Sequence, residues 1–239
     1  MADTGTLTAQ NVAAIVREQV IETITQESER DKQRRIGPSD LGDSCAYCLA
    51  SKMLGINEPR SFSIYPWLGT AVHLWMEEQE RDNPLVKTEQ RVEVGEVPGY
   101  GRITGTMDRY GNDYDIVGDY KLLGVKKIKG FKKGYVLNPD GTVTIHDERL
   151  WQYYVQINSY AKGAENAGHP VKWVSLILIP RDGSGSINDL EVIAFPYNPD
   201  VVNEALARAG LIYEYASRHG VDSLESDPSC YACSAAGRW

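Results

Sequence analysis

Four cysteines constrain this chain more than any other feature, because they fall as two Cys-x-x-Cys pairs nearly a whole chain apart. The pairs are Cys45-Ala-Tyr-Cys48 and Cys230-Tyr-Ala-Cys233. Two thiolates three positions apart can reach one metal from a tight turn or a helix start. Two such pairs complete a four-thiolate site. The alternative is two independent pairs of buried thiols. Zinc ribbons keep their pairs about 15–20 residues apart. Pairs at this separation instead act as a staple that draws the two ends of the fold together.

The rest of the composition is that of a folded chain. Of 239 residues, 42% are hydrophobic, enough for one sizeable core with an appended helical lobe. No apolar run approaches a membrane span, since the longest is Trp173 to Pro180. Met1 to Leu7 lacks the basic and apolar regions of a secretory signal, so a cytoplasmic location is expected. A net charge of −8 argues against a protein that coats nucleic acid nonspecifically. Six lysines are nonetheless concentrated between Lys121 and Lys133 without an acid among them, which leaves the remainder at about −14. Such a segment suits a local phosphate contact, or it is a solvated lysine-rich loop.

Periodicity sets out the elements. Thr8 is a candidate N-cap for a helix with Val12, Ile15, Val16, Val20 and Ile24 on one face, ending in the charged stretch Glu27 to Arg35. A second helical stretch runs from Pro38 to Gly55, and a third from about Trp67 to Arg81. Then the period becomes two. Val92 and Val94 alternate with charged residues, and Arg102–Tyr110 and Tyr114–Leu122 read as strands around the turn residues Gly111, Asn112 and Asp113. Asn138-Pro-Asp-Gly141 is a turn between Tyr135–Leu137 and Thr142–Ile145. A helix follows from Asp147 to Ala167, stopped by Gly168, then strands at Val171–Ile179 and Leu190–Phe195 and a helix at Asp200–Arg218. Helix, three strands, helix and strand describe an α/β sheet with helices against it. The division expected is an N-terminal helical segment (1–66), a core (67–198), and a C-terminal helix with the second cysteine pair (199–239).

Within the proposed hairpin, Asp108 and Asp119 lie at similar distances from the turn and so fall roughly opposite each other. Like charges there destabilise a sheet, and a divalent cation would offset the repulsion. Alternation also puts Lys121 on the face of Asp119, with Tyr120 pointing away. Two carboxylates and a lysine at one point suit phosphodiester hydrolysis: the metal generates hydroxide, and the lysine orients it or stabilises developing charge. The spacing alone is equally that of a structural salt bridge.

Gly105-Thr-Met-Asp108 followed by Gly118-Asp-Tyr-Lys121 resembles the paired signature of the PD-(D/E)XK nuclease superfamily. Gly69-Thr-Ala-Val-His73 resembles the histidine motif of its RecB-type branch, and Gln156-Ile-Asn-Ser-Tyr160 the branch's Gln-x-x-x-Tyr helix. The resemblance covers roughly His73 to Ile179. It implies a restriction-endonuclease-like core, a mixed central sheet flanked by helices, with the N- and C-terminal helical segments joined by a metal cluster. It implies Mg²⁺ or Mn²⁺ held by His73, Asp108, Asp119 and the backbone carbonyl of Tyr120. Gln156 would orient Lys121 or the substrate, and Tyr160 would touch a DNA phosphate or base. His73 also reads as a core histidine, and Gln156 and Tyr160 as an ordinary packed pair.

Pro38-Ser-Asp-Leu-Gly-Asp-Ser-Cys45 resembles the N-terminal region of RecB-type nucleases with a terminal iron–sulfur cluster, including CRISPR-associated exonucleases and their phage relatives. That implies a 4Fe-4S cluster on Cys45, Cys48, Cys230 and Cys233, with Zn²⁺ the alternative. The family commonly has one early and three late cysteines, and this chain has two and two. The implied activity is a DNA exonuclease acting on single-stranded ends, with no membrane partner. Lys126, Lys127 and Lys129 are candidate DNA contacts, and Tyr65 and Trp67 could stack bases. Two other functions compete: a DNA-processing or recombination partner active only within a complex, and a zinc or iron–sulfur DNA-binding scaffold without nuclease activity.

Overall fold

The computed structural model describes residues 9–25, 35–56, 63–227, 229–235 and 237. Thr8 and most of the charged stretch after the first helix lie outside them. Helix α1 (Ala9–Thr25) shows the expected stripe, with Val12, Ile15, Val16 and Val20 about half exposed. The second helical stretch is two short helices, α2 (Pro38–Leu41) and α3 (Ala46–Met53), rather than one running to Gly55. The break has a tertiary cause: a Cβ on Gly42 would stand 2.8 Å from the Cα of Gln152 in the later core helix. Cys45 caps α3, its sulfur facing the Cys48 N–H at 3.5 Å.

Helix α4 (Ile64–Glu80) begins at Ser63 and carries no fully buried residue. Strands β1 (Val86–Val97), β2 (Gly101–Gly111) and β3 (Ile116–Leu123) follow. The lysine-rich segment then forms helix α5 (Val125–Phe131), and β4 (Tyr135–Leu137) and β5 (Val143–Ile145) pair as a separate small hairpin. In α5, Ile128 and Phe131 are buried while Lys126, Lys127 and Lys129 are exposed. Helix α6 (Glu148–Asn166) is capped by Asp147, whose carboxylate accepts from the Leu150 N–H at 3.0 Å. Strands β6 (Trp173–Pro180) and β7 (Glu191–Pro196) complete the sheet, and α7 (Pro199–His219) and α8 (Tyr231–Ala235) end the described chain.

The five-stranded sheet has the order β1-β2-β3-β6-β7. Only β3 and β6 are parallel in this sheet, and the crossover between them runs through α5, the β4–β5 hairpin and α6. Eleven residues of α6 are buried, and its Leu150, Tyr154, Ile157, Ala161 and Ala164 join Met107, Val117, Leu176 and Phe195 of the sheet in the main core. A second core packs α2, α3 and α7 on the far end of β1 and β2. Burying apolar surface on this scale is what holds the layers together. Among the described residues, no helix is long and apolar enough to cross a membrane.

Candidate active site and cysteine cluster

The β2–β3 ladder runs Gly111–Ile116, Tyr110–Val117 and Arg109–Gly118. Continued by one step, the same register sets Asp108 opposite Asp119, because the turn spans residues 112–115 and β3 begins at Ile116 rather than at Tyr114. At that step the backbone pairing gives way. The Tyr120 N–H donates instead to Asp108 Oδ2 at 2.9 Å. The regular pleat fails here too, because Met107 and Tyr110, an odd number of positions apart, both face the main core. Asp108 is thereby turned toward α4, where its Oδ1 lies 3.1 Å from His73 Nδ1.

Asp119 is 1% exposed and Asp108 6%. Lys121 Nζ stands 2.5 Å from Asp119 Oδ2, so alternation does place these two together. Tyr120 points the other way, its hydroxyl donating to Glu80 Oε2 at 2.8 Å and its ring meeting His73 edge-on at 6.1 Å. Burial pushes the Asp119 carboxyl up to about 6, against the pull of Lys121. Burial works against the charged forms of His73 and Lys121, but Asp108 and Asp119 outweigh it, and both pKa values lie above their usual ranges. Two buried atoms, His73 Nδ1 and Asp119 Oδ2, have no partner in hydrogen-bond geometry despite close charged neighbours. Buried polar atoms in this state suit ligand positions that a cation would fill. The donor set of imidazole and carboxylate oxygens fits Mg²⁺ or Mn²⁺.

Gln156 and Tyr160 are buried on α6, where the Gln156 amide donates to the Tyr160 hydroxyl at 3.2 Å. Tyr160 also lies against the glycine of the first aspartate motif: a Cβ on Gly105 would be 2.9 Å from its Cε1. The ring beside Lys121 is Tyr153, 5.0 Å from Nζ, with Arg149 over the same ring at 5.4 Å. Of the basic segment, Lys127 engages Asp147 at 3.0 Å and Lys132 engages Glu191 at 2.6 Å. Tyr65 and Trp67 are 54% and 43% exposed, and the Arg181 guanidinium stacks 3.8 Å from the Tyr65 ring.

Sequence reasoning missed three supporting residues. Glu80 holds both the Tyr120 hydroxyl and the Arg109 guanidinium, the latter at 2.9 Å. Tyr153 flanks Lys121. Glu89 on β1 stands with His73 and Asp108, their ligand atoms all within 4.8 Å of one another. A carboxylate at the end of the histidine helix was the available signal for Glu80. Nothing local marks the other two.

The four cysteines meet as one group. Sulfur separations are 3.6 Å for Cys45–Cys233 and 3.5 Å for Cys48–Cys230 and Cys48–Cys233. Arg208 of α7 donates to the carbonyls of Asp43 and Ser44 at 2.7 Å, tying the last long helix to the loop that carries the first pair. Burial raises the Cys233 thiol to about 11, a penalty that a bound cation removes by holding thiolates.

No family profile matches the chain, and no curated protein matches it by sequence. Solved structures do. A candidate exonuclease from Eubacterium rectale aligns over 97% of this chain and 93% of its own, at 15% identity and a TM-score of 0.51. An alkaline exonuclease from Laribacter hongkongensis aligns over 80% of this chain and 95% of its own at 12% identity, with a TM-score of 0.46. A phage-related exonuclease from Haemophilus somnus covers 77% and 95% at 13% identity, with a TM-score of 0.48. The likeness of fold rests on the first. The class defined is therefore a mixed sheet flanked by helices, in the arrangement of that structure.

Proposed function

We propose that the chain is a divalent-metal-dependent DNA exonuclease acting on single-stranded ends by phosphodiester hydrolysis. The observation that carries this is a pair of neighbouring charged contacts, His73 with Asp108 and Lys121 with Asp119, built on the two buried aspartates of β2 and β3. His73, Asp108, Asp119 and the Tyr120 carbonyl would hold Mg²⁺ or Mn²⁺. Bound there, the ion supplies a polarised phosphate and an activated water. Lys121, held beside Asp119 and the Tyr153 ring, would stabilise negative charge as it develops on the phosphate. Glu80 fixes Tyr120, and with it the backbone on either side of the ligand positions. Gln156 and Tyr160, backed by Gly105, form a polar pair for the substrate backbone. Lys126 and Lys129 are the better candidates for DNA phosphates, because Lys127 is already paired. Tyr65 and Trp67 offer faces for bases.

Hydrolysis of end-labelled single- and double-stranded DNA with Mn²⁺ tests the proposal. Activity is expected on free single-stranded ends, lost with EDTA and in Asp119→Ala. Activity that survives both controls removes the proposed site.

For the cysteines, the resemblance supports a 4Fe-4S cluster. A specific observation supports zinc. Four thiolates around one ion with bonds of about 2.3 Å stand roughly 3.8 Å apart, close to the 3.5–3.6 Å found. A cubane places four irons and four sulfides among the thiolates and spreads them further. Anaerobic purification separates the two: a brown protein containing iron, or a colourless one with one zinc per chain.

A further inference from the structure

The nuclease reading uses two carboxylates, yet the structure brings a third beside Asp108 and His73. Thr88 pairs with Arg109 and Gln90 with Met107, so Glu89 sits on β1 at the level of Asp108. Its carboxylate, the His73 ring and the Asp108 carboxylate have ligand atoms within 4.8 Å of one another. We infer that Glu89 is a further ligand of the divalent ion, on the β1 side of Asp108 and facing His73; this rests on the nuclease reading above.

Charge supports the assignment. Asp108 and Asp119 against Lys121 leave one net negative charge, which half-balances a divalent ion. Glu89 makes it two, and the ion then closes the balance in a pocket where water cannot. Coordination supports it as well, since a hard cation takes about six oxygen-rich ligands. One Asp108 oxygen is already engaged by the Tyr120 N–H. One oxygen of Asp119, almost completely buried, has a lysine beside it but no hydrogen bond. A ligand from β1 supplies a third carboxylate direction that β2 and β3 cannot.

The backbone agrees. Glu89 has φ of +48°, a left-handed conformation that suits glycine or asparagine. A glutamate held there at the level of Asp108 is where strand regularity has been given up in favour of side-chain placement.

Calorimetric titration of the full-length protein with Mn²⁺ tests the inference, using wild type, Glu89→Gln and Glu89→Gly. Glu89→Gln is expected to weaken Mn²⁺ binding at least tenfold, the size of loss seen when groups that merely support a ligand are removed. Its metal-free melting temperature should not fall. Glu89→Gly should weaken binding similarly while raising the metal-free melting temperature by about 2–4 °C through relief of strain. Electron paramagnetic resonance of bound Mn²⁺ in ¹⁷O water should show an additional water ligand in both variants. Wild-type affinity and hydration in Glu89→Gln would overturn the assignment while leaving the nuclease reading intact. A wild-type protein that binds no Mn²⁺ would remove both.

Discussion

Lys121→Met separates the two jobs given to this lysine. In the metal-free protein its ammonium lies 2.5 Å from a carboxylate that is almost fully buried, so it stands where a cation's charge is needed. Removing one partner of a buried pair costs about 3–5 kcal/mol. That range is not reached here. Asp119 is already pushed up to about 6 by burial with the lysine present. Without it the carboxyl rises further and takes up a proton at pH 7, which caps the loss from Asp119 near about 1.4 kcal/mol. For a chain of this size that corresponds to a fall of roughly 3–6 °C in Tm. Saturating Mn²⁺ restores the missing charge, so the Mn²⁺-induced rise in Tm should be larger in the variant than in wild type. Binding should not weaken, but turnover should fall by about 10²–10³, the usual result of losing one charge-stabilising donor. Thermal unfolding with and without Mn²⁺, beside a single-turnover cleavage assay, measures all three. Wild-type turnover in Lys121→Met would refute the catalytic role. An unchanged metal-free Tm would refute the electrostatic argument.

Gly105→Ala places a Cβ within 2.7–2.9 Å of Pro38 and Tyr160; it should cost about 1–3 kcal/mol by overpacking, against the small gain usual for Gly→Ala in a strand, and Tyr160→Ala in the same chain should recover part of it. Asp119 and His73 both have raised pKa values. Each therefore stabilises the protonated folded state: the Asp119 contribution is lost as pH rises from about 4 to about 6 and that of His73 as pH rises above 6.5. Metal-free Tm should fall between pH 5 and 8 while Mn²⁺ affinity climbs, and titrations in buffers of different ionisation enthalpy should show proton release on binding. Cys48→Ser removes the thiolate closest to both late cysteines; metal analysis should show loss of the bound zinc or iron, with a lower Tm and unchanged Mn²⁺ binding at the carboxylate site.

Much of this was legible before any coordinates. Helix α6 is marked in the sequence by Asp147 at one end and Gly168 at the other, and the turn residues after Tyr110 mark the β2–β3 hairpin; the register that sets Asp108 level with Asp119 comes from a longer turn, residues 112–115. What alternation alone could not give was the local failure of that register, which turns Asp108 toward His73. The reason is tertiary: α4 packs beside β3, and Glu80 anchors Tyr120 from outside the hairpin. Helix α5 reads from the sequence as a basic segment because its lysines mask the helical spacing of Val125, Ile128 and Phe131, of which the last two are buried. The single stretch from Pro38 to Gly55 failed because Gly42 marks the passage of α6, a contact 110 positions away in sequence. Glu89 had no local mark. A charged residue on an alternating strand looks solvated, and only the pairing of β1 with β2 brings it to the site.

An ion held where Cys48 meets Cys230, 182 positions apart, would make most of this protein a closed ring. Backbone continuity and the joining of its two ends are then separate properties. A protease that nicks the exposed turn at Pro139–Gly141 would produce two fragments bridged by a shared ion, each contributing two sulfurs. The sheet, with β1 to β3 on one fragment and β6 and β7 on the other, would still be knitted across the cut by β3 and β6. Such a nicked protein keeps a full set of carboxylates on a single fragment. For this architecture, chelation would free the joined ends, while the pairing of β3 with β6 would still hold one half to the other.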